Sequence, residues 1–225
     1  MSKLEIPLTP FRHQSRVSSP ARVFLDMDGV MCDFLGGLVE LFPREAHVAG
    51  IRKIGSILGG WPRGVYDASQ ALGIAEEELW GRIADQGMEW WENLPLLPGA
   101  VELWDGLHAI PGAKVYLLSS PARDPGSYAG KRAWAQKHIA RDYPGLILTN
   151  DKTPLAAKGR ILIDDYDRNV GNFTSAGGVG ILYPQPWNVS IFGHLPPEDK
   201  VRHVLDEVEE FVELHHLHQD SDHAA

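Results

Sequence analysis

Residues 23–34 read VFLDMDGVMCDF, an apolar run that ends in two carboxylates, Asp26 and Asp28, followed by Gly29. Side chains two residues apart share one face of an extended strand, but a glycine at this point indicates that the chain turns. Such a turn lets one carboxylate and a following backbone carbonyl approach a hard cation, while the other carboxylate stands across the reacting group. A bound Mg²⁺ would offset the repulsion between the acids and help keep Asp26 ionised. The pattern therefore predicts one acid that attacks and one that moves a proton.

Polar residues follow three other apolar runs of the sequence. The run ILIDD ends in Asp164 and Asp165, which could complete an oxygen-rich cation site. The run VYLLSSP ends in Ser119 and Ser120, whose hydroxyls can hydrogen-bond a phosphoryl oxygen, and TNDKTP offers Lys152 as a positive charge suited to phosphate. Together these residues predict a site for phosphoryl chemistry.

Each of these signals also has a purely structural interpretation. An Asp-X-Asp-Gly sequence is often a solvated turn, two aspartates after a strand can cap a helix, and Ser-Ser-Pro is an ordinary turn. A single lysine such as Lys152 is more often found at the surface. The joint order of the four segments favours one shared site, because independent turns have no reason to supply complementary parts of one reaction.

The elements that must position these residues form an alternating pattern. We predict strands at residues 23–26, 115–119, 146–150, 161–165 and 179–183, with helical patterns between them. This alternation predicts an α/β fold, a doubly wound parallel sheet with helices on both faces. In such a sheet, ligands bind beyond the carboxyl ends of the strands, where the polar residues lie.

The segment 33–98 interrupts the alternation. It contains helical stretches and shows no run typical of a sheet strand, so we expect a small helical cap inserted after the first strand. The predicted α/β core then comprises residues 22–32 and 99–214. Residues 1–21 are expected to be a flexible N-terminal extension, and residues 215–225 a flexible tail.

Composition limits the classes of partner and location. The net charge of −9 argues against binding to a nucleic acid polymer or to an anionic membrane surface. The single cysteine, Cys32, excludes an intrachain disulfide framework, and no apolar stretch approaches the length of a membrane span. We therefore expect a cytoplasmic protein, although the Arg- and Ser-rich start leaves an organelle transit peptide open. The sequence also leaves a homodimer open.

Four motifs in this sequence resemble those of a known superfamily. DMDGV at 26–30, LLSSP at 117–121, NDKT at 150–153 and LIDD at 162–165 are similar to the motifs of the haloacid dehalogenase superfamily, most of whose members are phosphotransferases. More narrowly, DMDGVMCDF, LPGAVE, KRAWAQKHI and LTNDKT resemble the 5'(3')-deoxyribonucleotidase family, which removes phosphate from nucleoside monophosphates. The likeness spans about residues 22–190.

This resemblance implies roles for individual residues. Asp26 would attack phosphorus to form an aspartyl-phosphate, and Asp28 would protonate the leaving oxygen and then activate water. Mg²⁺ would be held by Asp26, the backbone carbonyl of Asp28 and one of the pair Asp164 and Asp165. The implied phosphate-binding residues are Ser119, Ser120, Lys152 and Lys131, the last of which could instead simply begin a helix.

The resemblance also implies a substrate. Related enzymes stack the base on aromatic residues of the cap, and Phe34, Trp61 and Trp91 occupy roughly corresponding places; core packing is the alternative for each of them. The expected substrate is a small phosphoester, namely a deoxyribonucleoside monophosphate. Two alternatives stay open: a phosphatase for another phosphoester such as a sugar phosphate, and a non-catalytic binding protein that keeps the fold.

Overall fold

The computed structural model describes residues 20–54 and 57–221. Within these residues, the strands are β1 (Ala21–Leu25), β2 (Arg52–Ile54), β3 (Ile57–Gly59), β4 (Ala113–Ser119), β5 (Leu146–Leu148), β6 (Arg160–Asp164) and β7 (Val179–Leu182). The helices are α1 (Phe34–Leu41), α2 (Pro43–Val48), α3 (Ala68–Leu72), α4 (Glu76–Glu92), α5 (Ala100–Ala109), α6 (Pro125–His138), α7 (Asp167–Ser175) and α8 (Pro197–Ser221). None of the described helices is long and apolar enough to cross a bilayer.

The central sheet has five parallel strands in the order β5-β4-β1-β6-β7. Strand β1 lies in the middle, where Val23 is in register with Val115 of β4 and with Ile161 of β6. All five strands predicted from the sequence are present in this sheet, and the prediction of a parallel sheet is confirmed. The carboxyl ends of β1, β4, β5 and β6 therefore meet at one edge.

Both faces of the sheet are covered by helices. Val23 and Leu25 of β1 are fully buried in a cluster that includes side chains of α5 and α8. Between them in sequence, Phe24 points to the opposite face and packs with Leu118, Leu162 and Phe173, the last from α7. This alternation follows from the two-residue period of a strand and confirms the doubly wound architecture.

The segment between β1 and α5 contains four helices and one feature that we did not expect. Strands β2 and β3 form an antiparallel hairpin in which Lys53 pairs with Leu58. Our expectation that no strand lies within 33–98 was therefore wrong. Each strand has three residues, too few to show the alternation by which a strand is recognised in a sequence.

The ends of the chain are described only in part. Residue Ala21, assigned to the extension, is the first residue of β1 and is fully buried. Helix α8 continues through Ser221, so the backbone at 215–221 is helical where we expected a flexible tail. The rest of the predicted extension, residues 1–19, and residues 222–225 lie outside the described part of the chain.

Helices α4 and α6 pack closely and join the cap segment to the core. Helix α4 is kinked at Gly87, whose φ of 65° is in the left-handed region that favours glycine. A Cβ atom at Gly126 would lie 2.9 Å from the carbonyl carbon of Gly87, and one at Gly130 would lie 2.4 Å from the Cβ of Trp91. Glycines on α6 thus allow the close approach that places Trp91 beside the carboxyl edge of the sheet.

Candidate active site

Three carboxylates meet at the carboxyl edge of the sheet. Asp26 directly follows β1, Asp164 is the last residue of β6, and Asp165 comes next. All three residues are buried, and one oxygen of each lies within 4.8 Å of an oxygen of the others. Strand pairing between β1 and β6 brings them together, since the backbone N–H of Asp26 donates to the carbonyl of Ile163.

A lysine from a third strand end lies among these carboxylates. Lys152, which follows β5, is 4% exposed, and its Nζ lies 2.5 Å from Asp26 Oδ1 and 2.6 Å from Asp164 Oδ2. Burial alone would lower the pKa of Lys152, but Asp26 and Asp164 raise it above its ordinary value. The ammonium therefore stays charged and neutralises part of the cluster.

Two acids of the cluster ionise less readily than ordinary carboxyl groups. Burial raises the pKa of Asp26 to about 7, with further increases from Asp164 and Asp28 and an opposing decrease from Lys152. Burial also raises the pKa of Asp165 well above its ordinary value, and the charges of Asp164 and Asp26 add to this effect. A bound cation would offset both the burial and the mutual repulsion of these carboxylates, so the raised pKa values favour a cation site.

The two acids of the Asp164–Asp165 pair differ in their hydrogen bonds. Both oxygens of Asp164 are engaged: Oδ2 accepts from Lys152, and Oδ1 accepts from the backbone N–H of Tyr166 at 2.9 Å. Asp165 Oδ2 accepts from Trp187 Nε1 at 2.6 Å, but Asp165 Oδ1 is buried without a hydrogen-bond partner in the described structure. An orphaned carboxylate oxygen beside two other carboxylates fits an oxygen-preferring divalent ion such as Mg²⁺.

The second aspartate of the opening motif lies in its own network. Lys131 of α6 is 1% exposed, and its Nζ donates to Asp28 Oδ2 and, at 3.0 Å, to Ser119 Oγ. Cys32 Sγ donates to Asp28 Oδ1 at 3.2 Å. Burial and the charge of Asp28 raise the pKa of Cys32, so the thiol remains protonated and able to donate. Both oxygens of Asp28 are thus held in place.

The two serines after β4 differ in position. Ser119 is fully buried, and its hydroxyl accepts from Lys131. Ser120 borders the cavity described below, and its hydroxyl donates to the carbonyl of Thr149 at 3.2 Å. Ser119 therefore belongs to the packed strand and contacts the buried Lys131, whereas Ser120 faces the cavity; phosphate binding by either serine stays a prediction.

A cavity of about 1210 Å³ opens between the cap segment and the carboxyl edge of the sheet. Its floor includes Asp26, Asp28, Lys152 and Asp165, and Ser120 borders the same space. The acids and the lysine that the sequence predicted therefore lie in one site. This volume accommodates a ligand of the size of a nucleotide.

The aromatic residues that we predicted to contact a base differ in their exposure to the cavity. Phe34 lines the cavity and stacks on Trp91, with ring centroids 5.7 Å apart. Trp91 also borders the cavity but is only 2% exposed, and Lys131 Nζ lies 4.7 Å from its ring centroid. Its ring is therefore largely covered by protein and lies against Lys131, and its contact with a base stays a prediction.

Trp61 is also placed differently from our expectation. It does not line the cavity, is 6% exposed, and donates from Nε1 to the carbonyl of Val65 at 2.8 Å. Its ring packs edge-to-face against Trp187 at 6.4 Å. Trp61 thus serves packing between the cap and the core rather than direct contact with a ligand.

Three other aromatic residues, which the sequence reasoning missed, line the cavity: Trp80, Tyr66 and Tyr166. Trp80 of α4 is 40% exposed and stacks on Phe34 at 6.3 Å; Tyr66 stacks on Tyr166 at 3.9 Å. A signal for Trp80 was present, because it lies one helical turn after the charged Glu76 and Glu77. No comparable signal marks Tyr66, which lies in a loop.

Comparisons with known proteins agree with this geometry. Residues 20–199 match the family model described as "5' nucleotidase, deoxy (Pyrimidine), cytosolic type C protein". The chain is 32% identical over 158 residues to the mitochondrial 5'(3')-deoxyribonucleotidase of Mus musculus, a match that covers 68% of each chain. It is 27% identical over 201 residues to the cytosolic-type 5'(3')-deoxyribonucleotidase of Homo sapiens, covering 82% of this chain and 93% of that protein.

A solved structure supports the fold assignment. A haloacid dehalogenase-like hydrolase from Streptococcus pneumoniae aligns with a TM-score of 0.51 at 11% identity, over 84% of this chain and all of that one. At this identity the likeness shows the fold alone. Taken with the family match and the relatives above, the chain belongs to the 5'(3')-deoxyribonucleotidase family of phosphoric monoester hydrolases and has the fold of a haloacid dehalogenase-like hydrolase.

Proposed function

We propose that this protein hydrolyses deoxyribonucleoside monophosphates with Mg²⁺, through a phosphoryl group carried transiently on Asp26. The observation that carries the proposal is the position of Asp26: its carboxylate is buried at a cavity floor, 2.5 Å from the ammonium of Lys152, with a second aspartate two residues away. A nucleophile, a proton-transfer group and a phosphate-binding cation are thus adjacent.

The proposed reaction has two steps. In the first, an oxygen of Asp26 forms a bond to phosphorus as the bond from phosphorus to the ester oxygen breaks, and Asp28 gives its proton to the departing nucleoside oxygen. In the second, Asp28 takes a proton from a water molecule, whose oxygen attacks phosphorus and releases inorganic phosphate from Asp26. Lys131 orients Asp28 through Oδ2, and Oδ1 exchanges the hydrogen bond from the Cys32 thiol for the transferred proton.

The residues that would hold Mg²⁺ are Asp26, the backbone carbonyl of Asp28, and Asp165 of the acidic pair. Asp165 is preferred over Asp164 because its Oδ1 lacks a partner, whereas both oxygens of Asp164 accept hydrogen bonds. When bound, the ion would stabilise the negative charge that develops on the phosphoryl oxygens. Lys152 and Ser120 border the same space and supply donors to those oxygens.

The substrate class is supported by the relatives and by the cavity. The curated relatives are named 5'(3')-deoxyribonucleotidases, and the matching family model names pyrimidine deoxynucleotides. The exposed rings of Trp80 and Tyr66 offer flat surfaces in the cavity against which a base can pack. The phosphate end would then face Asp26 and the base would face the cap.

Several expectations remain predictions. We propose the domain limits as predicted, with the core at 22–32 and 99–214 and the cap at 33–98. The absence of nucleic acid and membrane partners, a homodimer and a cytoplasmic location likewise stay predictions. The named relatives include both cytosolic and mitochondrial forms.

A panel of phosphate esters tests the proposal. Released phosphate would be measured for dUMP, dTMP, UMP and deoxyribose 5-phosphate, each with Mg²⁺ and with EDTA. We expect the highest kcat/KM for a deoxyribonucleotide, and no turnover in EDTA. Preference for the sugar phosphate would contradict the substrate assignment, and ligand binding without phosphate release would indicate a binding protein.

A further inference from the structure

The segment that follows β7, residues 183–188, is fixed against the acidic pair. Asn188 is 1% exposed, and its Nδ2 donates to the backbone carbonyls of Asp165 and Tyr183, each at 2.9 Å. The backbone N–H of Tyr183 donates to the carbonyl of Asp164. These bonds tie the segment to the backbone on both sides of the acidic pair, so its side chains occupy defined positions beside the site.

Trp187 is the residue of this segment that reaches a carboxylate. Its Nε1 donates to Asp165 Oδ2 at 2.6 Å, and both residues are almost fully buried. The other oxygen, Oδ1, has no partner within the described structure. The indole N–H of Trp187 therefore engages one oxygen of the Asp165 carboxylate and leaves the other oxygen without a hydrogen bond.

Close packing restricts rotation of this carboxylate. A Cβ atom at Gly29 would lie 2.1 Å from Asp165 Oδ2 and 3.3 Å from a ring carbon of Trp187, so the turn after Asp28 lies directly against the pair. On the cap side, the ring of Trp61 packs edge-to-face on Trp187, and the backbone N–H of Gly64 donates to the carbonyl of Pro186. Trp187 is therefore held between the turn and the cap.

We propose that Trp187 is a positioning residue for the metal ion: its indole N–H holds Asp165 Oδ2 so that Oδ1 faces Asp26 and Asp164. This inference rests on the proposed metal site and adds a residue to it. Hydrogen-bond partners of ligating carboxylates typically change metal affinity about 10–100-fold when removed. Trp187 thus sets the affinity of the site for Mg²⁺ through Asp165 and without ligating the ion.

The substitution Trp187→Phe tests this role, because it removes the N–H group and keeps an aromatic ring. The dissociation constant for Mg²⁺ would be measured on the full chain by isothermal titration calorimetry, in the absence of substrate. We expect it to rise about ten-fold or more. The matched control is Trp134→Phe, which removes a buried indole N–H that donates to the carbonyl of Leu94 and not to a carboxylate, and should leave the constant within about two-fold.

The outcomes separate the two proposals. If the wild-type protein binds no Mg²⁺, both the proposed metal site and the role of Trp187 are wrong. If the wild-type protein binds Mg²⁺ and Trp187→Phe binds it equally well, the role of Trp187 alone is wrong and the residue only packs. An equal loss in Trp134→Phe would likewise show a general packing effect and contradict the inference.

If Trp187→Phe does not fold, NMR of the indole N–H groups tests the same role of Trp187. With ¹⁵N-labelled tryptophan, the seven indole signals can be followed by NMR in the wild-type protein and in Asp165→Asn. We expect one indole N–H signal to lie strongly downfield in the wild-type protein. This signal should move upfield in Asp165→Asn, and in the wild-type protein it should shift when Mg²⁺ is added. If no indole signal moves in either experiment, Trp187 does not act through Asp165.

Discussion

The substitution Asp26→Asn should abolish turnover and stabilise the metal-free protein. Burial raises the pKa of Asp26 to about 7 from an ordinary value of 3.8, so the folded state binds more protons than the unfolded state between these values. The carboxylate therefore destabilises the fold increasingly as pH rises from about 4 to 7, and the effect levels off above. At about 1.4 kcal/mol for each unit of pKa, the cost of the charge reaches about 4 kcal/mol at pH 8 and only about 2 kcal/mol at pH 5.

Urea unfolding in EDTA at the two pH values measures this effect. The free energy of unfolding of Asp26→Asn should exceed that of the wild-type protein, with the larger difference at pH 8. Asp105→Asn, which changes an exposed aspartate on α5, serves as the control and should change the stability by less than about 0.5 kcal/mol. If Asp26→Asn is no more stable than the wild-type protein at pH 8, the buried negative charge does not destabilise the folded state and our account of the site is wrong.

Three further substitutions test other parts of the site. Lys152→Met leaves Asp26 without its buried cation, so the free energy of unfolding in EDTA at pH 8 should fall by about 3–5 kcal/mol, and an unchanged value would contradict the ion pairs. Trp80→Ala should raise KM for dUMP by roughly ten-fold and leave KM for deoxyribose 5-phosphate unchanged, since only the base loses a stacking surface; equal effects would assign Trp80 to packing. Trp91→Leu should lower kcat about ten-fold for both substrates, because it removes the ring beneath Lys131. A decrease in kcat for dUMP alone would show instead that Trp91 contacts the base.

Much of the fold follows from local patterns in the sequence. The apolar runs that became β1, β4 and β6 are separated by helical patterns, and this order requires parallel pairing. Because carboxyl ends of parallel strands meet at one edge, the convergence of Asp26, Lys152 and the pair at 164–165 could be predicted before any coordinates. The hairpin of β2 and β3 could not, because three-residue strands carry no detectable period.

Sequence reasoning could not decide which way individual side chains of the site face. Ser119 and Ser120 are chemically equivalent in the sequence, but Ser119 is the last residue of β4 and turns into the packed interior, while Ser120 lies at the cavity. Trp91 and Trp80 are both tryptophans of one helix, and only the packing of α4 on α6 decides that the first is covered and the second exposed. Such choices depend on tertiary contacts that residue type and spacing do not specify.

The central claim is that Asp26 carries the phosphoryl group. It is tested most directly by mixing the protein with dUMP and Mg²⁺, quenching in acid within one turnover, and locating the added mass by peptide mass spectrometry. Our account predicts a phosphoryl group on the peptide at Asp26, absent from Asp26→Asn. Rapid release of phosphate with no modified peptide, or with the group on another residue, would contradict it.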